Sequence, residues 1–109
     1  MTTTATRLYG PAALPGADTS LFTVPAGKVA LVRDLRVVNR NAAATVSVAF
    51  GVGGTGAGQQ VQTSGAIVAG ATFTSVVWLV LAAGESLNGI RLAGAGPADT
   101  TVDGYLLDA

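Results

Sequence analysis

The sequence predicts an all-β fold, an antiparallel β-sandwich of about eight strands with a jelly-roll-like arrangement. Three observations lead there. Short stretches rich in Val, Leu, Thr and Phe recur about every ten residues, separated by Gly, Pro and Asn punctuation. No window of a dozen residues keeps a helical period free of Gly, Pro or β-branched runs. The chain has 109 residues, which suits one domain spanning 1–109. A small closed barrel is the alternative architecture.

The elements follow in chain order. Ala5–Tyr9 reads as a short strand ending at Gly10-Pro11, and Gly10–Asp18 reads as a loop, so residues 1–18 are expected to form an N-terminal arm and loop. Thr19–Val24 is a strand with Phe22 and Val24 on one face, closed by the Pro25-Ala26-Gly27 turn. Lys28–Asn39 is the longest strand, and its hydrophobic alternation changes phase in the middle. A bulge near Arg33-Asp34 resolves the mixed pattern. Ala44–Phe50 alternates cleanly, with Val46, Val48 and Phe50 inward and Thr45, Ser47 and Ala49 outward.

Gly51–Gly58 holds five glycines in eight residues and reads as a flexible loop. Gln59–Val68 is a weaker strand, broken near Ser64-Gly65, and Thr72–Leu81 is a strong one. Glu85–Leu92 is expected to turn Leu87 and Ile90 inward, with a phase shift at Asn88-Gly89. Thr100–Leu107 closes the fold with Val102, Gly104 and Leu106 on one face and Tyr105 and Leu107 on the other.

Composition narrows the function. Six basic and six acidic residues give a net charge of zero, and charged residues are 11% of the chain, against about 25% in an average soluble domain. A lone molecule so poor in charge is prone to self-association. Nucleic-acid binding is not expected, because no basic run exists. The longest apolar run, Val76–Ala83, is eight residues and too short for a membrane span. Met1–Arg7 lacks the apolar centre of a signal peptide, so use without Sec export is expected. There is no Cys, hence no disulfide framework or thiolate-held metal.

The candidate chemistries are weak. Gly51–Gly56 fits G-x-G-x-x-G after a strand, but the next residues lead towards another strand, and no acidic residue follows about 20 positions on. Ser86 lies in a partial nucleophile-elbow pattern, yet the chain has no His, so a Ser-His-Asp triad is impossible. Asp99, Asp103 and Asp108 lack the spacing of a calcium loop. No catalytic, cofactor or metal residue is assigned, and the chain is not read as an enzyme.

The residues that point to a role are apolar. A sandwich strand is polar on its outer face, whereas Val76–Leu81 is apolar on both. Either the loop Gly10–Asp18 or a neighbouring subunit must cover Val76, Trp78 and Val80. Arg33, Arg36 and Arg40, which follow one another along the long strand, are candidates for bridging to carboxylates of another subunit, as against ordinary surface pairing with the chain's own Asp34, Asp99 or Asp103. Tyr9 and Tyr105 are candidate anchors of an interface or plugs at the ends of the sandwich.

Four segments, Leu21-Phe-Thr-Val-Pro-Ala-Gly-Lys28, Leu35-Arg-Val-Val-Asn39, Leu81-Ala-Ala-Gly-Glu-Ser-Leu87 and Thr101-Val-Asp-Gly-Tyr105, together resemble a pattern in small tailed-bacteriophage virion proteins. The resemblance spans residues 21–107. It implies a β-sandwich that decorates, cements or joins parts of a phage particle, with no catalytic residues. The expected role is a capsid decoration or cement protein, with a neck, tail or tail-fibre component as the alternative. Expected partners are further copies of the chain and other virion proteins, such as the major capsid or tail protein. The expected location is the virion, assembled in the host cytoplasm. A carbohydrate-binding sandwich is the reading from another class, its aromatics being Trp78, Tyr9 and Tyr105.

Overall fold

A computed structural model describes residues 3–109, so Met1 and Thr2 of the expected arm lie outside the described residues. Eight strands account for the regular structure: β1 Thr3–Ala13, β2 Thr19–Thr23, β3 Lys28–Asn39, β4 Ser47–Val52, β5 Gln60–Thr63, β6 Thr72–Leu81, β7 Ser86–Ala93 and β8 Ala98–Asp108. They pair as one long hairpin folded over on itself: β4 with β5, β3 with β6, β2 with β7 and β1 with β8, all antiparallel. Rolling that hairpin brings β4 against β7 and β3 against β8. The products are sheet A, ordered β1-β8-β3-β6, and sheet B, ordered β2-β7-β4-β5. This is the eight-strand jelly roll, and the sheets do not close into a barrel.

One apolar cluster fills the space between the sheets. Sheet A contributes Leu8, Ala30, Val32, Leu35, Val37, Leu81 and Val102, and sheet B contributes Leu21, Val48, Phe50 and Leu87. Val46, Val48 and Phe50 are almost wholly buried as expected, but Ala49, expected outward, is fully buried as well, so the middle of β4 is covered on both faces. The long strand behaves as its pattern requires. Ala30 and Val32 point inward, Arg33 is an extra residue against β8, and Leu35, Val37 and Asn39 then point inward in the opposite phase. The bulge at Arg33-Asp34 therefore preserves burial on both sides of the phase change, which an unbroken strand cannot do.

Three further expectations are corrected. Residues 3–13 are strand β1 on the edge of sheet A, paired with β8; Pro11 is tolerated there because an edge strand can lack a ladder donor. On β2 a register shift between Ser20 and Phe22 sends Leu21 and Val24 into the core, leaving Phe22 half-buried. On β7 the inward residue after Leu87 is Gly89, while Ile90 is half-buried. A Cβ at Gly89 would press on Leu14, Leu21 and Phe50, so the missing side chain is what lets those three meet beneath it.

The loop after β1 is held against sheet B. Leu14 is fully buried, Arg91 N–H donates to the Pro15 carbonyl at 2.8 Å, and Arg91 Nη1 donates to the Leu14 carbonyl at 3.0 Å. The glycine-rich segment is also pinned. Gly53 N–H bonds the Ser86 carbonyl at 2.9 Å, Val52 N–H the Gln59 carbonyl at 3.0 Å, and Thr55 N–H the Asp18 carboxylate at 2.8 Å. Its glycines are needed where backbone meets backbone: a Cβ at Gly51 would run into the Gly54 carbonyl oxygen.

Candidate interaction surface

The outer face of sheet A carries the candidate residues. Antiparallel register sets them in rows across the strands. One row runs Ala5, Tyr105, Leu31, Val80, and another runs Arg7, Asp103, Asp34, Val76. Between these two rows lies a line of bulges. Leu8 is extra on β1 and Arg33 is extra on β3, both relative to β8. On β6 the two residues Val77 and Trp78 face the single Arg33. The bulge on β3 turns Arg33 and Asp34 to the same outer side, where strict alternation would have split them. Trp78 takes a left-handed backbone with φ of 49°, an outlier for a bulky residue.

Val76, Trp78 and Val80 stand in line on β6 and are 57, 56 and 64% exposed. They are half of the six exposed large hydrophobics among the described residues; the others, Val61, Val68 and Leu92, sit on different elements. The loop at residues 14–18 packs against β7 and the glycine-rich segment and leaves this row uncovered. Strand β6 is also a sheet edge. Its ten residues include no charge and no proline, two of the usual guards against edge pairing.

Beside the row, Arg33 lies over the Trp78 ring, 5.7 Å from its centroid, within cation–π range. Arg33 also lines an open depression of about 460 Å³, with Arg7, Asp34, Arg36, Asp103 and Tyr105. Its ion pairs are loose: Arg33 to Asp34 at 3.8 Å and Arg36 to Asp103 at 4.0 Å, too long for hydrogen bonds. The other charged side chains behave differently. Lys28 bonds Asp108, Arg40 bonds Asp99 at 2.6 Å, Arg91 bonds two carbonyls, Asp18 accepts from Asn88 and Thr55, and Glu85 accepts from Ala82 N–H. Thus the charges whose hydrogen-bonding capacity is unspent within the described residues converge on one depression, next to the exposed tryptophan.

The structure unites some of the sequence-derived candidates and separates others. Val76, Trp78, Val80 and Arg36 share the outer face of sheet A. Arg40 lies just beyond β3 and is held by Asp99 of β8. Tyr9 is on β1 at the far edge of the sheet, and its ring packs against the core cluster. Asp99, Asp103 and Asp108 do not converge; each faces a different cation, Arg40, Arg36 and Lys28 respectively. Among the described residues no group of three or more metal-ligating side chains forms. Sequence reasoning names Tyr105 as a candidate anchor but passes over Arg7, Asp34 and Asp103 as members of the surface. The parity of β8 held a signal for Asp103, since Asp103 and Tyr105 alternate with the inward Val102 and Gly104.

The chain matches no protein-family model, no curated protein and no solved structure.

Proposed function

We propose that this chain is a structural subunit of a phage-type virion, acting as a decoration or cement protein. The observation that carries the reading is the uncovered row Val76, Trp78 and Val80 on a charge-free edge strand. The jelly roll agrees with such a role but does not select it, since the same fold serves capsid proteins and lectins. The low charge content points the same way: a chain with 11% charged residues gains by covering surface with other protein. The segments around Val24-Pro25-Ala26-Gly27-Lys28 and Leu81–Leu87 add their resemblance to phage virion proteins.

The work in this reading is mechanical. A standard interface removes roughly 800 Å² per partner from water, and apolar burial contributes about 25 cal/mol per Å² before the costs of association. Repeated over many copies, such contacts raise the free energy needed to break a shell. Trp78, flanked by Val76 and Val80, is the anchor type that dominates protein interfaces. The partners are the major capsid or tail protein and other copies of the chain.

Purified virions made from the genome that encodes the chain provide the test. Mass spectrometry and gold labelling are expected to find the wild-type chain on the particle. The Trp78→Asp variant is expected to fold, keeping a cooperative melting transition, and yet be missing from it. Virions without the wild-type chain, or with Trp78→Asp at wild-type level, would overturn the reading.

One observation favours a second reading. Trp78 and Tyr105 share a face with open guanidinium and carboxylate groups between them, and that combination of ring faces, donors and acceptors is also suited to a saccharide. The chain has one Trp, so quenching of its fluorescence by glucose, galactose, N-acetylglucosamine or glucuronate would report binding at this face directly.

A further inference from the structure

We infer that the outer face of sheet A is occupied by a second copy of this chain in a two-fold contact. The inference rests on the reading of that face as an assembly surface, and it names the partner.

Size permits it. Four strands about 4.8 Å apart and roughly ten residues long at about 3.3 Å each present a face of about 19 by 33 Å. That is roughly 600 Å² in projection, and a corrugated surface exceeds its projection, so the face approaches the ~800 Å² per partner of a stable interface. The residue types also fit. Trp78, Tyr105, Arg7, Arg33 and Arg36 stand on this face, and Trp, Tyr and Arg are the side chains enriched at interface hot spots.

Charge selects the occupant. The depression holds three guanidiniums and two carboxylates, so a small dianion meets Asp34 and Asp103 as well as the arginines. A partner with both signs in adjacent positions satisfies the cluster, and the cluster is itself such a surface. Arg33 and Trp78 form one row, and Asp34 and Val76 are in register in the next. A two-fold axis crossing the strands between these rows sets Arg33 over Asp34 of the second copy, and Trp78 over Val76 of the second copy. Each contact then occurs twice, as an isologous interface requires. The 3.8 Å approach of Arg33 to Asp34 within one chain is too long for a hydrogen bond, so neither group is spent on the other; the Arg33 side chain is half exposed and that of Asp34 is 14% exposed. Zero net charge means that no long-range repulsion opposes the encounter.

The experiment is a charge exchange read by size-exclusion chromatography with light scattering, and by Trp78 emission. Wild type is expected to be a dimer whose emission shifts to the blue as concentration rises. R33D and D34R each bring like charges together across the axis, so each is expected to weaken self-association by at least about tenfold. An equimolar mixture of R33D and D34R restores both opposite-charge contacts and is expected to recover the dimer, which also shows that both variants fold. A wild type that stays monomeric at all concentrations overturns the inference. So does a trimer or larger ring, a dimer indifferent to both variants, or a mixture that fails to recover. A monomer that is still found on virions removes the second copy and leaves the proposed role standing. A dimer that passes the exchange but is absent from virions does the reverse.

Discussion

Asn88 Nδ2 donates a 2.9 Å hydrogen bond to Asp18 Oδ1, and the other oxygen of that carboxylate accepts from Thr55 N–H at 2.8 Å. One exposed side chain thus ties the loop after β1 to strand β7 and to the glycine-rich segment. The two bonds, that from Asn88 first, hold the Asp18 carboxyl below its ordinary value.

A pH dependence of stability results. A carboxyl with a depressed folded-state pKa adds stability that is complete above the unfolded value of about 3.9 and is lost as pH falls through the lower folded value. Asp18→Ala is expected to melt below wild type near neutral pH, and the gap is expected to close as pH drops beneath the ordinary aspartate range. Thermal unfolding of both proteins across pH measures it. A gap independent of pH would show that the carboxylate's charge plays no part.

Asn39 ends β3 fully buried, and its side chain closes three backbone groups. Its Nδ2 donates to the carbonyls of Ala44 and Ile67, both at 2.9 Å, and its Oδ1 accepts from Asn41 N–H at 3.0 Å. Removing a partner from buried polar groups costs about 1–3 kcal/mol. Asn39→Ala is expected at the upper end of that range, because the Ile67 carbonyl is left with one donor fewer in the interior. Urea titration should show a lower midpoint with an unchanged slope.

Trp78 tests the backbone at the bulge. In an ordinary strand glycine is less stable than alanine. At φ of 49° an L side chain costs roughly 1–2 kcal/mol, so the order reverses. Trp78→Gly is expected to be more stable than Trp78→Ala by about 1 kcal/mol, measured by chemical denaturation of the two variants as monomers. Equal stabilities would mean that the strand relaxes to an extended conformation once the indole is gone.

How far the sequence discloses this molecule depends on the type of signal. The inward set Val46, Val48 and Phe50 is legible because alternation marks the core face of a strand, whereas the burial of Ala49 on the other face is not, since a small residue there carries no signal of what covers it. The bulge at Arg33-Asp34 is legible from alternation as well, since a change of phase between two runs of apolar residues needs an extra residue. Leu14 and Gly89 are not legible. Leu14 sits among Pro15, Gly16 and Asp18 and reads as loop, and only the tertiary fold reveals the space that Gly89 leaves beneath it. The candidate surface divides similarly. The apolar row of β6 stands out in one dimension, whereas Arg7, Asp34, Asp103 and Tyr105 come from three strands and meet only through register. The Asn that ends β3 was visible as part of a motif, and its reason, a clamp on Ala44 and Ile67, required the structure.

The position of β8 governs how the chain can be born. It lies between β1 and β3, with ladders to both, so a central strand of one sheet is the last of the eight to be translated. Until β8 leaves the ribosome, β1 has no neighbour and β3 is bare along one side. Completion of the sandwich must wait for β8, and the pairing of distant strands makes that step slow compared with local structure. During this interval the greasy stretch of β6 is exposed alongside open strand edges, the condition under which newly made polypeptides aggregate. In a cell producing many copies at once, synthesis rate and chaperone supply would therefore limit the yield of native protein.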